Sequence, residues 1–71
     1  MIRVGDSLLN PECIASAKIK EKTDWLGMRE GYYIQCKMID GTTVDVYDEC
    51  GEYYYSMLEA GEALDEINEV L

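Results

Sequence analysis

The sequence predicts an α+β fold, in which an antiparallel sheet of about four or five strands carries one C-terminal amphipathic helix packed on one face. Two segments, 14–22 and 32–38, alternate apolar and polar residues with the period of a strand. A helix-start motif at 56–59 precedes an apolar stripe with helical spacing. Because a chain of 71 residues suits one domain, we assign residues 1–71 to a single domain.

Two short apolar segments, 2–4 and 7–9, flank Gly5 at the start of the chain. Glycine accepts positive φ without steric cost, so these segments suit a tight hairpin. After the Asn10-Pro11 turn the chain enters the strand 14–22, whose apolar residues should face the core. The residues expected on the core side are Ala15, Ala17 and Ile19.

The strand 32–38 is expected to pair with the segment 42–48 through a three-residue loop, 39–41. A two-residue turn would place apolar and charged residues on the same face of both strands, which is costly. The three-residue loop avoids this and puts Gly41 in the left-handed position that a G1 bulge requires. The predicted pairs are Ile34 with Val46, Gln35 with Asp45, Cys36 with Val44, and Tyr33 with Tyr47.

The segment 23–31 breaks the alternation and is predicted to be the longest loop. We expect it to fold Trp25 back over the core, because a domain this small needs every large apolar side chain. The alternative is that Trp25, with Leu26 and Met28, anchors a partner. The tyrosines at 53–55 fit either an extended segment or the beginning of the helix, and the pattern does not decide between them.

The last segment is predicted to be a helix that starts at Ser56 and runs to the C-terminus. Ser56 and Glu59 form a capping box, in which the hydroxyl accepts the amide of residue 59 and the carboxylate reaches back to the Ser56 amide. One face of this helix is apolar and should pack on the sheet. Its residues are Met57, Ala60, Ala63, Leu64, Ile67, Val70 and Leu71.

The net charge of −9 is concentrated in the second half of the chain, since residues 38–71 hold ten acids and no cation. Nucleic acid and anionic membranes are poor partners for such a surface, whereas basic protein surfaces are good ones. The outer helix face has no lysine or arginine to offset its like charges, which predicts either a partner-binding surface or a solubilising one. The candidate residues are Glu59, Glu62, Asp65, Glu66 and Glu69, with Asp48, Glu49 and Glu52 as extensions.

Tyrosine is the second unusual feature, because the chain has six tyrosines and no phenylalanine. Tyrosine is favoured where one side of the ring is packed and the other is exposed to solvent, as at interfaces. The predicted pair of Tyr33 and Tyr47 lies on the sheet face away from the helix. This pair is a candidate contact surface, for example for a second copy, unless the rings only flank the core and point their hydroxyls outward.

The sequence argues against an enzyme, because it has no histidine, no phosphate-binding glycine loop and no nucleophile in an activating context. The three cysteines are widely spaced and are expected to be free thiols, so neither a metal nor a cofactor is predicted. Without a signal-peptide pattern or an apolar run of about 20 residues, we expect a soluble, cytoplasmic protein.

The leading functional prediction is therefore a non-enzymatic domain that engages a basic surface of another protein. One form of this function is inhibition by mimicry of nucleic acid, an analogy with small anti-defence proteins of phages and mobile elements. The alternative is a structural or regulatory subunit that self-associates as a homodimer through its tyrosine-bearing face, with acidity serving solubility alone.

Overall fold

The computed structural model describes residues 1–71 as five strands, one short 3-10 turn and one α-helix. The α+β class, the antiparallel pairing and the packed helix are confirmed, but the strands form two sheets rather than the single sheet expected. The first sheet pairs β1 with β2, and the second has the order β3-β4-β5. The elements are β1 (Ile2–Val4), β2 (Ser7–Leu9), the 3-10 turn (Pro11–Cys13), β3 (Ile14–Thr23), β4 (Arg29–Met38), β5 (Thr43–Val46) and α1 (Met57–Asn68).

The β1–β2 hairpin turns at Gly5 as predicted and is fixed to the end of β5. Gly5 has a φ of +56°, and the Asp6 amide donates to the Tyr47 carbonyl at 3.1 Å. The Asp6 Oδ1 accepts the Tyr47 amide in return at 3.0 Å. A Cβ at residue 5 would lie 1.8 Å from the Tyr47 carbonyl oxygen, so both the conformation and the space require glycine.

The β4–β5 register is the one that the sequence predicted. Ile34 pairs with Val46 and Cys36 with Val44, which leaves residues 39–41 as the loop. Gly41 has a φ of +92°, the left-handed conformation expected of the glycine in a G1 bulge. The strand β5 is shorter than the predicted 42–48, because from residue 47 on the backbone bonds to the β1–β2 turn and to the following loop.

The strand β3 contains a bulge that the alternation did not reveal. Ile14 pairs with Met38, but the next pair is Ser16 with Lys37, so Ala15 is the extra residue. Ala15 is consequently exposed and its predicted place on the core side is wrong, whereas Ala17 and Ile19 pack against the core as expected.

The β3–β4 hairpin is longer than predicted, since β4 begins at Arg29 and the connecting loop covers only residues 24–28. Asp24 stabilises this loop, because its Oδ1 accepts the amides of Leu26 and Met28, each at 2.9 Å. The loop projects from the end of the hairpin, and Trp25 is 91% exposed. The prediction that Trp25 covers the core is therefore wrong, because the long hairpin holds it out of reach.

The helix α1 packs against β3, β4 and β1 through Ala60, Ala63 and Ile67, all of which are buried. It ends at Asn68 rather than at the C-terminus. Three members of the predicted apolar face lie at its ends and are exposed, namely Met57, Val70 and Leu71. With 12 residues, α1 is too short to span a bilayer, and no helix of the chain is long and apolar enough to do so.

The tyrosine triplet precedes the helix, and its central residue forms a β-bridge, which settles the open question about residues 53–55. Tyr54 forms an antiparallel bridge to Tyr32, with backbone hydrogen bonds of 2.7 and 3.0 Å between them. This bridge brings the start of α1 to the edge of β4 beside β5. The Tyr54 side chain enters the core, whose buried members are Val4, Leu9, Ile14, Tyr32, Ile34, Cys36, Val46, Tyr54, Ala60, Ala63 and Ile67.

Candidate functional site

Acidic side chains from two separate elements line one open cleft of about 410 Å³. We call it the acidic cleft. The helix α1 forms one wall, the loop after β5 forms the other, and the β1–β2 turn contributes Gly5. Its carboxylates belong to Asp48, Glu49, Glu59, Glu62 and Glu66, and Gly5, Cys50, Tyr54 and Ala63 complete the lining.

The helical contribution follows from residue spacing. Glu59, Glu62 and Glu66 are three and four residues apart, so they share one side of α1, and all three are exposed. Asp65 and Glu69 are also exposed but lie outside the cleft. The predicted acidic helix face therefore divides into a part that borders the cleft and a part that does not.

The loop wall of the cleft is ordered by Asp48. Its Oδ1 accepts the amides of Cys50 and Glu52, each at 2.9 Å, and its own amide donates to the Glu52 carbonyl at 2.8 Å. Such a side-chain turn fixes the path of the backbone without a regular element. Asp48 thus holds the loop that presents Glu49 to the cleft.

Glu59 has a structural role at the start of α1. Its amide donates to the Ser56 Oγ at 3.3 Å, as the capping box predicts. Its Oε2, however, accepts the Tyr55 amide at 3.2 Å rather than the Ser56 amide, so this half of the prediction is wrong. The roles of Asp48 and Glu59 leave Glu49, Glu62 and Glu66 as the carboxylates most available to a partner.

Tyr54 is the most buried polar side chain of the cleft lining, and the sequence did not identify it as a site residue. It is only 7% exposed, and its hydroxyl has no hydrogen-bond partner in the chain. Burial, followed by the negative charges of Asp48, Asp6, Glu66 and Glu49, raises the pKa of Tyr54 to about 12. The hydroxyl is therefore neutral near pH 7 and lies close to several carboxylates. The only available indication in the sequence was its central position in the tyrosine triplet.

Glu52 does not join the acidic cleft, although the sequence suggested it as an extension of the acidic face. It lines a separate depression with Glu30, Tyr47, Tyr53 and Tyr55. The predicted acidic residues therefore do not all line one cleft.

The predicted tyrosine pair is part of a cluster of three rings on the sheet face away from α1. The ring centroids of Tyr33 and Tyr47 are 5.9 Å apart, and Tyr53 lies 6.1 Å from the first and 5.5 Å from the second. These distances are typical of favourable aromatic pairs. Burial, followed by the nearby charge of Asp45, raises the pKa of Tyr47. The rings of this tyrosine cluster partly cover one another, so each is only half-exposed.

The three cysteines are free thiols in different environments. The thiol of Cys36 is buried in the core, which raises its pKa, whereas Cys50 is exposed in the acidic cleft. No group of three or more histidine, cysteine, aspartate or glutamate side chains is placed to hold a metal ion. The chemistry that the cleft offers is the attraction of positive charge.

Comparison of the chain with protein-family models, with curated proteins and with solved structures finds no match.

Proposed function

We propose that the chain is a non-enzymatic protein-binding domain whose acidic cleft engages a basic surface of another protein. The observation that carries this proposal is the convergence of five carboxylates from α1 and from the loop after β5, with no lysine or arginine in the lining. A surface that served solubility alone would gain nothing from gathering its charges in a concavity.

The carboxylates of the acidic cleft repel one another. Each like-charge pair at helical spacing, such as Glu62 with Glu66, costs about 0.2–0.5 kcal/mol, and the charges of Asp48 and Glu49 across the cleft add to the repulsion. Bound cations would relieve this repulsion. Association with a basic partner would be fast at low ionic strength and would weaken as salt screens the charges.

Inhibition by mimicry of nucleic acid is one version of this function, and it makes a different demand on the helix. A mimic of a phosphate backbone uses an extended row of charges, which would include Asp65 and Glu69 beyond the cleft. A cleft-based contact would not need those two residues. The two versions therefore differ in whether Asp65 and Glu69, at the end of α1, take part in the binding.

A pair of charge-reversal variants tests the proposal. The double variant Glu62→Lys/Glu66→Lys changes two cleft residues, and Asp65→Lys/Glu69→Lys makes the same change in charge outside the cleft, at the last turn and the C-cap of the same helix. Each protein is immobilised and used to capture partners from a lysate of its own source cells at low and at high ionic strength. We expect the cleft variant to lose the salt-sensitive partner and the control variant to keep it.

Other outcomes have distinct meanings. Loss of the partner with both variants would favour the extended mimic over the cleft. Retention of every partner by the cleft variant would show that the acidic cleft does not bind protein, and the proposal would be wrong.

A second candidate function is self-association through the tyrosine cluster. It is favoured by the three half-exposed rings on the sheet face that α1 leaves uncovered. It predicts a homodimer whose stability changes little with salt and which Tyr33→Ser disrupts. Sedimentation equilibrium at millimolar concentration provides the test, since a strictly monomeric mass there would exclude this function.

A further inference from the structure

The buried hydroxyl of Tyr54 is the starting point for a more specific inference about the partner. This inference rests on the proposed function and concerns the same cleft. The Tyr54 hydroxyl is buried without a hydrogen-bond partner, whereas buried polar groups in proteins are nearly always paired. An unpaired buried hydroxyl that lines a cleft indicates a missing donor or acceptor supplied by a ligand.

The surroundings of the hydroxyl define what that ligand must be. Tyr54 lines the acidic cleft together with Gly5, and a Cβ at residue 5 would lie 2.6 Å from the hydroxyl oxygen. Tyr54 is buried, Asp48 is half-buried and the other four carboxylates of the lining are exposed, so Tyr54 lies at the base of the cleft and those four form its rim. The hydroxyl is closed to solvent in the unbound chain, so a ligand reaches it only if the groups that cover it move aside. A suitable ligand must carry positive charge and hydrogen-bond donors at its tip.

We propose that the acidic cleft takes the side chain of one arginine of the protein partner, whose guanidinium lies among the carboxylates of Glu62 and Glu66 and donates a hydrogen bond to the Tyr54 hydroxyl oxygen. This arrangement would supply the partner that the hydroxyl lacks and would neutralise part of the charge that α1 and the loop bring together.

Arginine fits this cleft better than lysine for two reasons. A guanidinium has five donors in a fixed planar fork, so it can serve the carboxylates of Glu62 and Glu66 and the hydroxyl at the base at the same time. It is also more weakly hydrated than an ammonium group, so it loses less when it enters a concave site. Lysine would satisfy the charge but would contact fewer of the groups.

The inference can be tested on the full chain with short peptide probes. The probe is acetyl-Gly-Gly-Arg-Gly-Gly-amide, and its controls carry lysine or citrulline in place of arginine. Binding is followed at low ionic strength by ¹H–¹⁵N NMR. We expect the arginine probe to shift the amides of Gly5, Cys50 and Ala63, which line the cleft. The lysine probe should bind more weakly, and the uncharged citrulline probe should cause no such shifts.

Three variants separate the groups involved. Glu62→Gln/Glu66→Gln should abolish binding of the arginine probe, and the matched control Asp65→Gln/Glu69→Gln should keep it. Tyr54→Phe removes only the hydroxyl and should weaken binding about tenfold, the loss typical of one hydrogen bond to a charged group. The spectrum of each variant first establishes that it is folded.

The results that overturn the inference are specific. Equal shifts with the arginine and citrulline probes, or equal affinity of the wild type and Tyr54→Phe for the arginine probe, would refute it. Either result leaves the proposed function standing if the Glu62→Lys/Glu66→Lys protein still loses its captured partner. Conversely, if the arginine probe binds but the Glu62→Lys/Glu66→Lys protein captures the same partners as the wild type, the proposed function is refuted.

Discussion

Replacing Tyr54 by phenylalanine should raise the free energy of unfolding of the unbound protein. The hydroxyl is buried without a partner, and such a group costs about 1–3 kcal/mol when it leaves water. Phenylalanine keeps the ring in the core, and the bridge to Tyr32 uses only backbone atoms, so both survive the change. We therefore expect a gain of about 1 kcal/mol, the lower end of that cost.

The measurement is urea denaturation of the variant and the wild type, followed by circular dichroism. Thermal denaturation gives a second readout, because in a domain of 60–100 residues a gain of about 1 kcal/mol corresponds to a rise in Tm of about 4–8 °C. Tyr55→Phe is the matched control, because Tyr55 belongs to the same triplet but is 91% exposed. Its free energy of unfolding should be unchanged.

The advantage of the variant should increase at alkaline pH. The pKa of Tyr54 is about 12 in the folded protein, compared with about 10 in the unfolded chain. Between these values the unfolded chain binds fewer protons than the folded one, so the wild type loses stability as pH rises. The phenylalanine variant lacks this loss, although the raised pKa of Tyr47 leaves a smaller slope in both proteins.

A lower free energy of unfolding for Tyr54→Phe would refute the reasoning. It would mean that the hydroxyl is already paired in the free protein, and the case for an arginine at the base of the acidic cleft would lose its main support.

Three further predictions concern other parts of the chain. Gly5→Ala should destabilise the fold by about 2–4 kcal/mol in urea denaturation, because it combines positive φ with a Cβ 1.8 Å from a carbonyl oxygen. Gly61→Ala, which places a methyl group in open space on α1, should stabilise the fold by about 1 kcal/mol in the same assay. Trp25 should be fully accessible to acrylamide in the folded state, with a fluorescence quenching constant that barely changes on unfolding, since it is 91% exposed. Cys50 should react with a thiol reagent within the first phase of labelling, and Cys36, which is buried with a raised pKa, should react only as the chain unfolds.

The parts of the fold that the sequence predicted well are those fixed by neighbouring residues. The β4–β5 register depends on keeping charged residues off the core face and on a glycine in the loop, and both conditions are visible in the residues from Ile34 to Val46. The same holds for the turn at Gly5 and for the capping role of Ser56.

The errors arose where distant parts of the chain decide the outcome. Trp25 is exposed because β3 and β4 extend beyond the core, and hydrophobicity alone does not reveal that length. The bulge at Ala15 and the division into two sheets likewise depend on how strands meet in space.

The candidate site was predicted in part for the same reason. The exposure of Glu62 and Glu66 follows from helical periodicity, so the sequence was sufficient to identify them. Their meeting with Asp48 and Glu49 depends on the path of the loop after β5, and the burial of Tyr54 depends on its bridge to Tyr32. Neither relation is encoded in a local pattern.

The attachment of the β1–β2 turn to the end of β5 determines when, during folding, the acidic cleft can form. Gly5 and Glu66 both line the acidic cleft, so a chain in which only β3, β4 and β5 are folded lacks the binding site proposed above. A partner would therefore bind only the fully folded domain. Its binding would stabilise the folded state, and once the site is saturated the gain in folding free energy would grow with the logarithm of the partner concentration. Binding at the cleft would then report that the whole chain is folded.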